Sequence, residues 1–235
     1  MKKLWGIPGG IFLLACVLIP FLFTIGGCAG NKKEKTAVQL AHEGERFFKA
    51  GNYTRAVKSY QRLRDWYPYS EYAKTAGLRI ADAHFRMKEY EEAVSDYKDY
   101  ENLHPSDPKI PYVIYQIGRC YYDRLASVDR DQTPAIKAVS TFKRLISRFP
   151  ESSFAAKAKP LLEKCLQNLA GHEFSIGLFY FRTRHYKAAK ERFLNIVKDY
   201  PDSGYVQKAI LYIARCRQRQ ANEDSRDIRG KTMIQ

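Results

Sequence analysis

One seven-residue phrase occurs three times in the chain and restricts what it can fold into. The phrase contains an aromatic residue, then proline, serine two positions later, a second aromatic residue and a small aliphatic one. It reads YPYSEYA at 67–73, FPESSFA at 149–155 and YPDSGYV at 200–206. Proline shortly after a helix prevents its continuation, and serine is a favoured N-cap for the next one. Each phrase therefore predicts a joint between two helices, and LHPS at 103–106 is a looser fourth copy.

The residues that precede each of these prolines repeat at a fixed helical spacing. An alanine, then an aromatic residue four positions later, stand at equal distances before each proline; the alanines are Ala56, Ala93, Ala138 and Ala189. A small residue lies on the preceding helix, where two helices would cross closely; these residues are Gly44, Ala81, Gly118 and Gly177. The pattern is typical of tetratricopeptide repeats.

These repeats predict an all-α fold, a tetratricopeptide-type α-solenoid superhelix of about five helix–turn–helix repeats over 36–220. A single repeat cannot bury its apolar face alone, so neighbouring repeats stack and create a concave face. A polar loop around 125–133 separates amino-terminal repeats at 36–125 from carboxy-terminal repeats at 134–220. The first helix of the fourth repeat is lengthened to about 153–182. The remaining residues, 221–235, predict a loose polar tail.

The amino terminus has the layout of an export signal. Lys2 and Lys3 precede an uncharged stretch that extends from Leu4 to Gly27. A basic start followed by an apolar segment and small residues is typical of a secretory signal peptide. The apolar run is also long enough to cross a bilayer, so a signal anchor that is retained in the membrane is the alternative.

The last four residues of this stretch favour lipid modification. Ile25-Gly26-Gly27-Cys28 resembles the bacterial lipobox, in which cleavage before the cysteine follows its acylation. The resemblance implies a lipoprotein signal peptide at 1–27, a covalent lipid on Cys28 and a lipidated tether at 28–35. It also implies sorting to the outer membrane, since Ala29 is not aspartate.

Charge and cysteine usage bound the environment and the partners. The formal net charge of +15 suits anionic lipid headgroups or acidic protein surfaces, and an exported chain rarely meets nucleic acid, so no nucleic-acid partner is expected. Cys120, Cys165 and Cys216 follow the signal without CxxC spacing. Buried free thiols and one disulfide in an oxidising periplasm both fit them.

No catalytic or metal-binding constellation is present in the sequence. His42-Glu43 and His172-Glu173 begin like a zinc-protease motif, but Arg46 and Ile176 occupy the positions of the second histidine. There is no GxSxG motif and no phosphate-binding glycine loop. We therefore expect no enzymatic activity, no metal and no cofactor other than the lipid on Cys28.

The first helix of each repeat predicts a peptide-binding groove on the concave face. The inward-facing positions combine an aromatic floor with basic tips, and the candidates are Phe48, Lys49, Phe85, Arg86, Tyr115, Arg119 and Tyr122. Such a surface suits an extended apolar peptide with aromatic side chains and a terminal carboxylate. Aromatic residues at helical spacing are also common in repeat cores, and this is the competing interpretation.

The lipobox, the divergent repeats and the expanded third repeat together resemble one family. The segments DRDQT, AIKAVSTFKRLISRFPESSFA and FYFRTRHYKAAKERFLNIVKDYPDSGY are similar to the BamD family, also called YfiO or ComL. These are outer-membrane β-barrel assembly lipoproteins with tetratricopeptide repeats. The similarity spans nearly the whole chain after the signal and is strongest at 129–155 and 177–206.

The resemblance implies a scaffold on the periplasmic face of the outer membrane. Its carboxy-terminal repeats would bind a periplasmic domain of a BamA-like barrel protein, and Arg192 matches an arginine of that surface in the family. Its amino-terminal repeats would receive unfolded outer-membrane protein precursors, and other assembly lipoproteins would be partners. A tetratricopeptide lipoprotein that organises peptidoglycan enzymes is the alternative, and a small-molecule-binding accessory subunit is a third possibility.

Overall fold

The computed structural model describes the backbone of residues 34–232 and the side chains of residues 34–226. Within this range the chain forms helices and no strand. In chain order the helices are α1 (Ala37–Lys49), α2 (Tyr53–Trp66), α3 (Glu71–Met87), α4 (Tyr90–Leu103), α5 (Ile110–Tyr122), α6 (Thr133–Arg148), α7 (Ser153–Arg182), α8 (Tyr186–Asp199) and α9 (Val206–Thr232). The predicted all-α repeat fold is confirmed. The signal peptide, Cys28 and most of the tether lie outside the described residues.

The repeated phrase forms the joints between repeats. Each of α2, α4, α6 and α8 ends two residues before its proline; these are Pro68, Pro105, Pro150 and Pro201. Ser70 and Ser152 occupy the N-cap positions of α3 and α7, and the Ser152 hydroxyl accepts a hydrogen bond from the Phe154 amide at 3.2 Å. The joint therefore ends one helix and begins the next within a few residues.

The two helices of each repeat cross where the small residue lies. We call the first helix of a repeat helix A and the second helix B. A Cβ atom added at Gly118 would lie 2.3 Å from Cε1 of Phe142, and at Gly44 or Gly177 it would lie 2.6 Å from the facing aromatic ring. Only a residue without a side chain permits these three close approaches.

The helices divide into an inner and an outer row. Helix α1 contacts α3 and α5 contacts α7, whereas the backbones of consecutive B helices scarcely meet. The A helices therefore form the more tightly curved, concave side. Three clusters of buried side chains follow one another along the solenoid, centred on Leu63, Phe142 and Phe193.

Helix α7 is 30 residues long and serves two repeats. Its first half packs against α5 and α6, and its second half packs against α8. Pro160 lies inside the helix, which continues through it. The 125–133 loop is fastened to α7, because Asn168 donates to the Ala126 carbonyl at 3.0 Å and His172 lies 2.6 Å from the Val128 carbonyl.

The carboxy-terminal segment differs from the loose tail that the sequence suggests. Helix α9 continues to Thr232, and residues 221–226 are exposed and helical. No glycine or proline lies between 206 and 229, and arginine, glutamine, alanine and glutamate are good helix formers. The helix therefore persists beyond its last buried contact. Among the described residues, none of the helices combines the length and apolar character needed to cross a bilayer.

Candidate peptide-binding groove and partner-binding surface

The candidate groove begins on α1, where Phe48 is half-buried and Lys49 is exposed. The Phe48 ring meets Tyr53 edge to face at 5.3 Å, and the guanidinium of Arg79 lies 5.0 Å above the same ring. Lys49 pairs with Glu45 at 3.6 Å. Phe48 is thus held between two repeats, and Lys49 remains largely in solvent.

Arg79 connects the first two repeats along the groove, although it is not among the residues predicted from the sequence. Its guanidinium lies 3.3 Å from Glu45 and 3.6 Å from Asp82. Glu45 also accepts a hydrogen bond from the Tyr60 hydroxyl at 3.0 Å, and burial raises the pKa of Tyr60. The spacing between Arg79 and Asp82 on α3 was a local signal, but the contact with Glu45 depends on how the repeats stack.

Asp82 is the buried centre of the groove floor. The hydroxyls of Tyr97 and Tyr112 both donate to the same carboxylate oxygen, at 2.7 and 2.6 Å. Burial, and then the nearby charge of Asp82, raise the pKa values of both tyrosines, so they stay protonated as donors. Gln116 in turn donates to the Tyr112 hydroxyl at 3.0 Å. The floor is a hydrogen-bonded network between α3, α4 and α5.

The predicted residues of the second and third repeats meet around one arginine. The Arg119 guanidinium lies 5.9 Å from the Phe85 ring, 3.5 Å from the Tyr115 hydroxyl and 3.3 Å from Asp123. Its Nε atom is buried and has no hydrogen-bond partner. Phe85 is itself half-buried and packs edge to face on Tyr90 at 5.8 Å. Phe85, Tyr115 and Arg119 therefore form one contact unit.

The two remaining candidates lie at the margins of this unit. Arg86 is exposed, next to Phe85 on α3. Tyr122 is half-buried against the central core cluster. The structure thus places Phe48, Phe85, Tyr115 and Tyr122 partly in the core and partly at the surface.

The second aromatic residue of the joint phrase also reaches the groove. Phe154, at the start of α7, packs 5.4 Å from Tyr112 and 5.6 Å from Tyr115. It borders a cleft of 370 Å³ between α3 and α5. Tyr72, its counterpart at the start of α3, borders a smaller cleft of 190 Å³ between α1 and α3. The repeated phrase was the signal for both residues, although it predicted only a joint.

Arg192 lies on α8 and is paired within the chain. Its Nη1 atom lies 3.2 Å from each carboxylate oxygen of Glu173 on α7. The arginine side chain remains 39% exposed.

The three cysteines of the repeats are free and buried. Burial raises the pKa of Cys120 and of Cys165 to about 12, and that of Cys216 rises for the same reason. These thiols are structural rather than reactive, which agrees with the free-thiol interpretation. No cluster of three or more histidine, cysteine or acidic side chains able to bind a metal occurs among the described residues.

Comparison with known proteins gives one family across the chain. The family described as YfiO, outer membrane lipoprotein, matches residues 33–231. An outer membrane protein assembly factor BamD from Neisseria meningitidis serogroup A is 30% identical over 224 residues, which cover 91% of this chain and 83% of the relative. The BamD of Caulobacter vibrioides is 26% identical over 205 residues, covering 84% of this chain and 67% of the relative.

Solved structures with some likeness are other tetratricopeptide proteins. The TPR2AB domain of yeast Sti1, in its pHSP90 complex, has a TM-score of 0.44 at 18% identity, over 78% of this chain and 70% of that one. A tetratricopeptide repeat protein from Parabacteroides merdae has a TM-score of 0.42 at 11% identity, over 80% of this chain and 76% of that one.

Proposed function

Because the chain belongs to the YfiO (BamD) family of outer membrane lipoproteins, we propose that it is a non-enzymatic scaffold subunit of outer-membrane β-barrel protein assembly. It is anchored to the periplasmic face of the outer membrane by a lipid on Cys28. Its amino-terminal repeats bind targeting peptides of unfolded barrel precursors, and its carboxy-terminal repeats bind a BamA-like barrel-forming subunit.

The observation that carries the peptide-binding role is the unit formed by Arg119, Phe85 and Tyr115. The guanidinium is half-buried against an aromatic ring and keeps one buried donor, Nε, without an acceptor. Nε itself is inaccessible, so a ligand would reach the guanidinium through its other N–H groups, since the side chain is one-third exposed. A partly desolvated guanidinium favours a ligand that supplies an oxygen. A peptide carboxylate or backbone carbonyl would meet this need.

Two clefts between successive A helices favour an extended ligand with apolar side chains. Their volumes of 190 and 370 Å³ suit single side chains rather than a whole cofactor. Both are bordered by aromatic residues from the joints, Tyr72 and Phe154. Successive residues of an extended strand could place alternate side chains in such clefts.

The peptide-binding role is tested by exchanging one arginine. A fluorescent peptide with the sequence of the last strand of a barrel precursor is titrated with the mature lipoprotein in detergent. Arg119→Ala is expected to weaken binding about tenfold, because it removes a desolvated cationic donor. Arg124→Ala is the matched control, since Arg124 also pairs with an acid, Glu91 at 2.7 Å, and its side chain is exposed to a similar degree, but it lies beyond the end of α5 and outside the Arg119 unit. Equal losses in both variants would contradict the proposal.

The partner-binding role is tested by copurification with a tag on the scaffold. A BamA-like barrel protein should be recovered with the wild type, and less of it with Arg192→Ala. Arg148→Ala is the matched control, because Arg148 pairs with Glu101 at 3.4 Å and is similarly exposed. Recovery of peptidoglycan enzymes without a barrel protein would instead support the cell-wall scaffold.

The lipid anchor is tested independently of both partners. Cys28→Ser should leave an uncleaved precursor that takes up no radioactive fatty acid in cells. Persistent label in this variant would refute the assignment of Cys28.

A further inference from the structure

The direction of the helices defines one edge of the solenoid. The turns that join α1 to α2, α2 to α3 and α3 to α4 are short, so consecutive helices are antiparallel. The starts of α1, α3 and α5 therefore lie at the same edge as the ends of α2 and α4. We call it the joint edge. Since α1 begins there, the tether that leads back to Cys28 also leaves the solenoid from this edge.

The joint edge exposes an unusual set of large apolar side chains. Val38 at the start of α1, Trp66 at the end of α2, Tyr69 in the first joint and Leu103 at the end of α4 are 43%, 52%, 101% and 74% exposed. A cleft of 460 Å³ lies between Tyr69 and Leu103. Apolar side chains grouped in this way on a soluble surface mark an interaction site.

The charges at this edge balance one another. Lys74 forms an ion pair with Asp107, and Arg64 lies 3.7 Å from Asp65. A surface with little net charge and exposed aromatic rings does not fit a strongly acidic or basic protein partner. It fits the interfacial layer of a bilayer, where tryptophan and tyrosine place an apolar ring among the acyl chains and a polar group among the headgroups.

We propose that the joint edge is a membrane-contact surface, through which Trp66, Tyr69, Leu103 and Val38 enter the headgroup region of the phospholipid bilayer. The proposal rests on the lipid anchor proposed above. The nine residues 28–36 span at most about 30 Å, so the edge is held within that distance of the membrane. Tethering raises the local concentration of the edge at the surface, and a contact too weak to bind free protein then suffices.

The contact would orient the whole amino-terminal half. Helices that end at the joint edge would stand upright on the bilayer, and the solenoid axis would run parallel to the membrane plane over the first two repeats. The groove would then open sideways, along the membrane surface, rather than towards it or away from it.

Trp66 can serve as an intrinsic fluorescent probe of this contact. The chain's two tryptophans are Trp5, within the signal peptide, and Trp66, so Trp66 is alone after processing. The lipidated protein is reconstituted on vesicles of phosphatidylethanolamine and phosphatidylglycerol, with or without bromine on the acyl chains. We expect brominated lipid to reduce the Trp66 emission at least twofold and the emission maximum to shift to shorter wavelength.

Two variants locate the effect on the joint edge. Tyr69→Ser combined with Leu103→Ser should at least halve the quenching, because it removes two of the four apolar side chains that would hold the joint edge in the interface. Ile136→Ser is the matched control: Ile136 is 58% exposed but lies at the start of α6, at the opposite edge, and its variant should be quenched like the wild type. Circular dichroism verifies that each variant keeps its helix content.

The outcomes separate this inference from the proposed function. Protein that floats with the vesicles but shows unquenched, solvent-like Trp66 emission retains the anchor and overturns the membrane contact. Protein that neither floats nor carries lipid overturns the anchor and the contact together. Shielding of Trp66 that appears only after a BamA-like protein or a precursor peptide is added identifies the joint edge as a protein interface and also overturns the proposal.

Discussion

In the first two repeats and in the last two full repeats, helices A and B cross in the same way, but the side chains at the crossing differ. On helix B the crossing residue is Tyr60 and Tyr97 in the first two, and Phe142 and Phe193 in the last two. On helix A the residue after the small one is a carboxylate in the first two, Glu45 and Asp82. In the last two it is Arg119 and Leu178.

This difference explains why the aromatic residue at the crossing is tyrosine in the first two repeats and phenylalanine in the last two. In the first two repeats the hydroxyl donates to the carboxylate that faces the groove, at 3.0 Å in one and 2.7 Å in the other. Where helix A offers no acceptor, a buried hydroxyl would be unsatisfied, and phenylalanine occupies the position. The amino-terminal half thus has a polar groove floor, and the crossings of the other half are apolar.

The largest expected effect comes from a methyl group at a crossing. Gly118→Ala should lower the free energy of unfolding by about 3 kcal/mol, because the new Cβ atom would lie 2.3 Å from the fully buried Phe142 ring. Gly77→Ala is the control, since nothing lies within 4 Å of its added Cβ atom, and it should stabilise by about 0.5–1 kcal/mol through helix propensity. Urea unfolding measures both; the same sign in both variants would contradict the crossing argument.

The second-largest expected effect comes from removing the Tyr97 hydroxyl from the buried hydrogen-bond network. Tyr97→Phe should cost about 2 kcal/mol in unfolding free energy, because the buried Asp82 carboxylate loses one of two tyrosine donors. Tyr60→Phe should cost about 1 kcal/mol or less, since Glu45 is one-third exposed and retains Arg79 and Lys49. Chemical denaturation of the two variants measures both losses in unfolding free energy. Equal losses would mean that burial of the acceptor carboxylate has no effect.

The reverse substitution, which adds a hydroxyl to a phenylalanine crossing, tests the same comparison. Phe142→Tyr should destabilise by about 1–2 kcal/mol, because the hydroxyl enters a crossing whose helix A carries no carboxylate next to Gly118. Adding Arg119→Glu should recover part of this loss by creating the acceptor found in the first two repeats. A double variant that is no more stable than the sum of its single variants would count against the rule.

The smallest expected effect is a dependence on pH in the second repeat. His84 Nδ1 lies 2.6 Å from Asp96, and this hydrogen bond, opposed by burial and aided by the charges of Asp96, Glu89 and Glu92, raises the pKa of His84. The stabilisation is therefore complete below the unfolded pKa of 6.5 and is lost as the pH rises through the raised value.

His84→Gln should accordingly lower the unfolding free energy more at pH 5.5 than at pH 9, by less than about 1 kcal/mol for this partly exposed pair. Arg192→Gln, which breaks the ion pair with Glu173 in the fourth repeat, should have the same effect at both pH values because arginine remains charged. Denaturation curves of the two variants at the two pH values provide the test.

The sequence predicted what depends on neighbours in the chain. Prolines, capping serines and the spacing of alanine and aromatic residues specify where helices end and begin, so the joints and the all-α repeat fold were accessible. The small residues at the crossings were also recognisable, since close helix packing requires them. The continuation of α9 past residue 220 was not predicted: residues 221–235 were expected to form a loose polar tail, although α9 has no breaker before Gly230.

Only the general position of the candidate groove could be predicted from the sequence. The positions of Phe48, Phe85 and Arg119 followed from the repeat register, but their contacts depend on how adjacent repeats rotate. Arg79 joins Glu45 to Asp82 across 37 residues of sequence, and Phe154 reaches Tyr115 from a helix that begins 31 residues beyond Tyr122. No pattern of neighbouring residues in the sequence predicts these contacts.

Helix α7 gives the molecule an uneven stiffness. A solenoid bends most easily at the joints between repeats, where few backbone hydrogen bonds cross from one helix to the next. Helix α7, 30 residues and about 45 Å long, packs against helices of both the third and the fourth repeat, so it braces the joint at Pro150 between them. We therefore expect bending at the joints on either side of this block. A displacement of α8 would therefore be carried along α7 to the Phe154 end of the candidate groove.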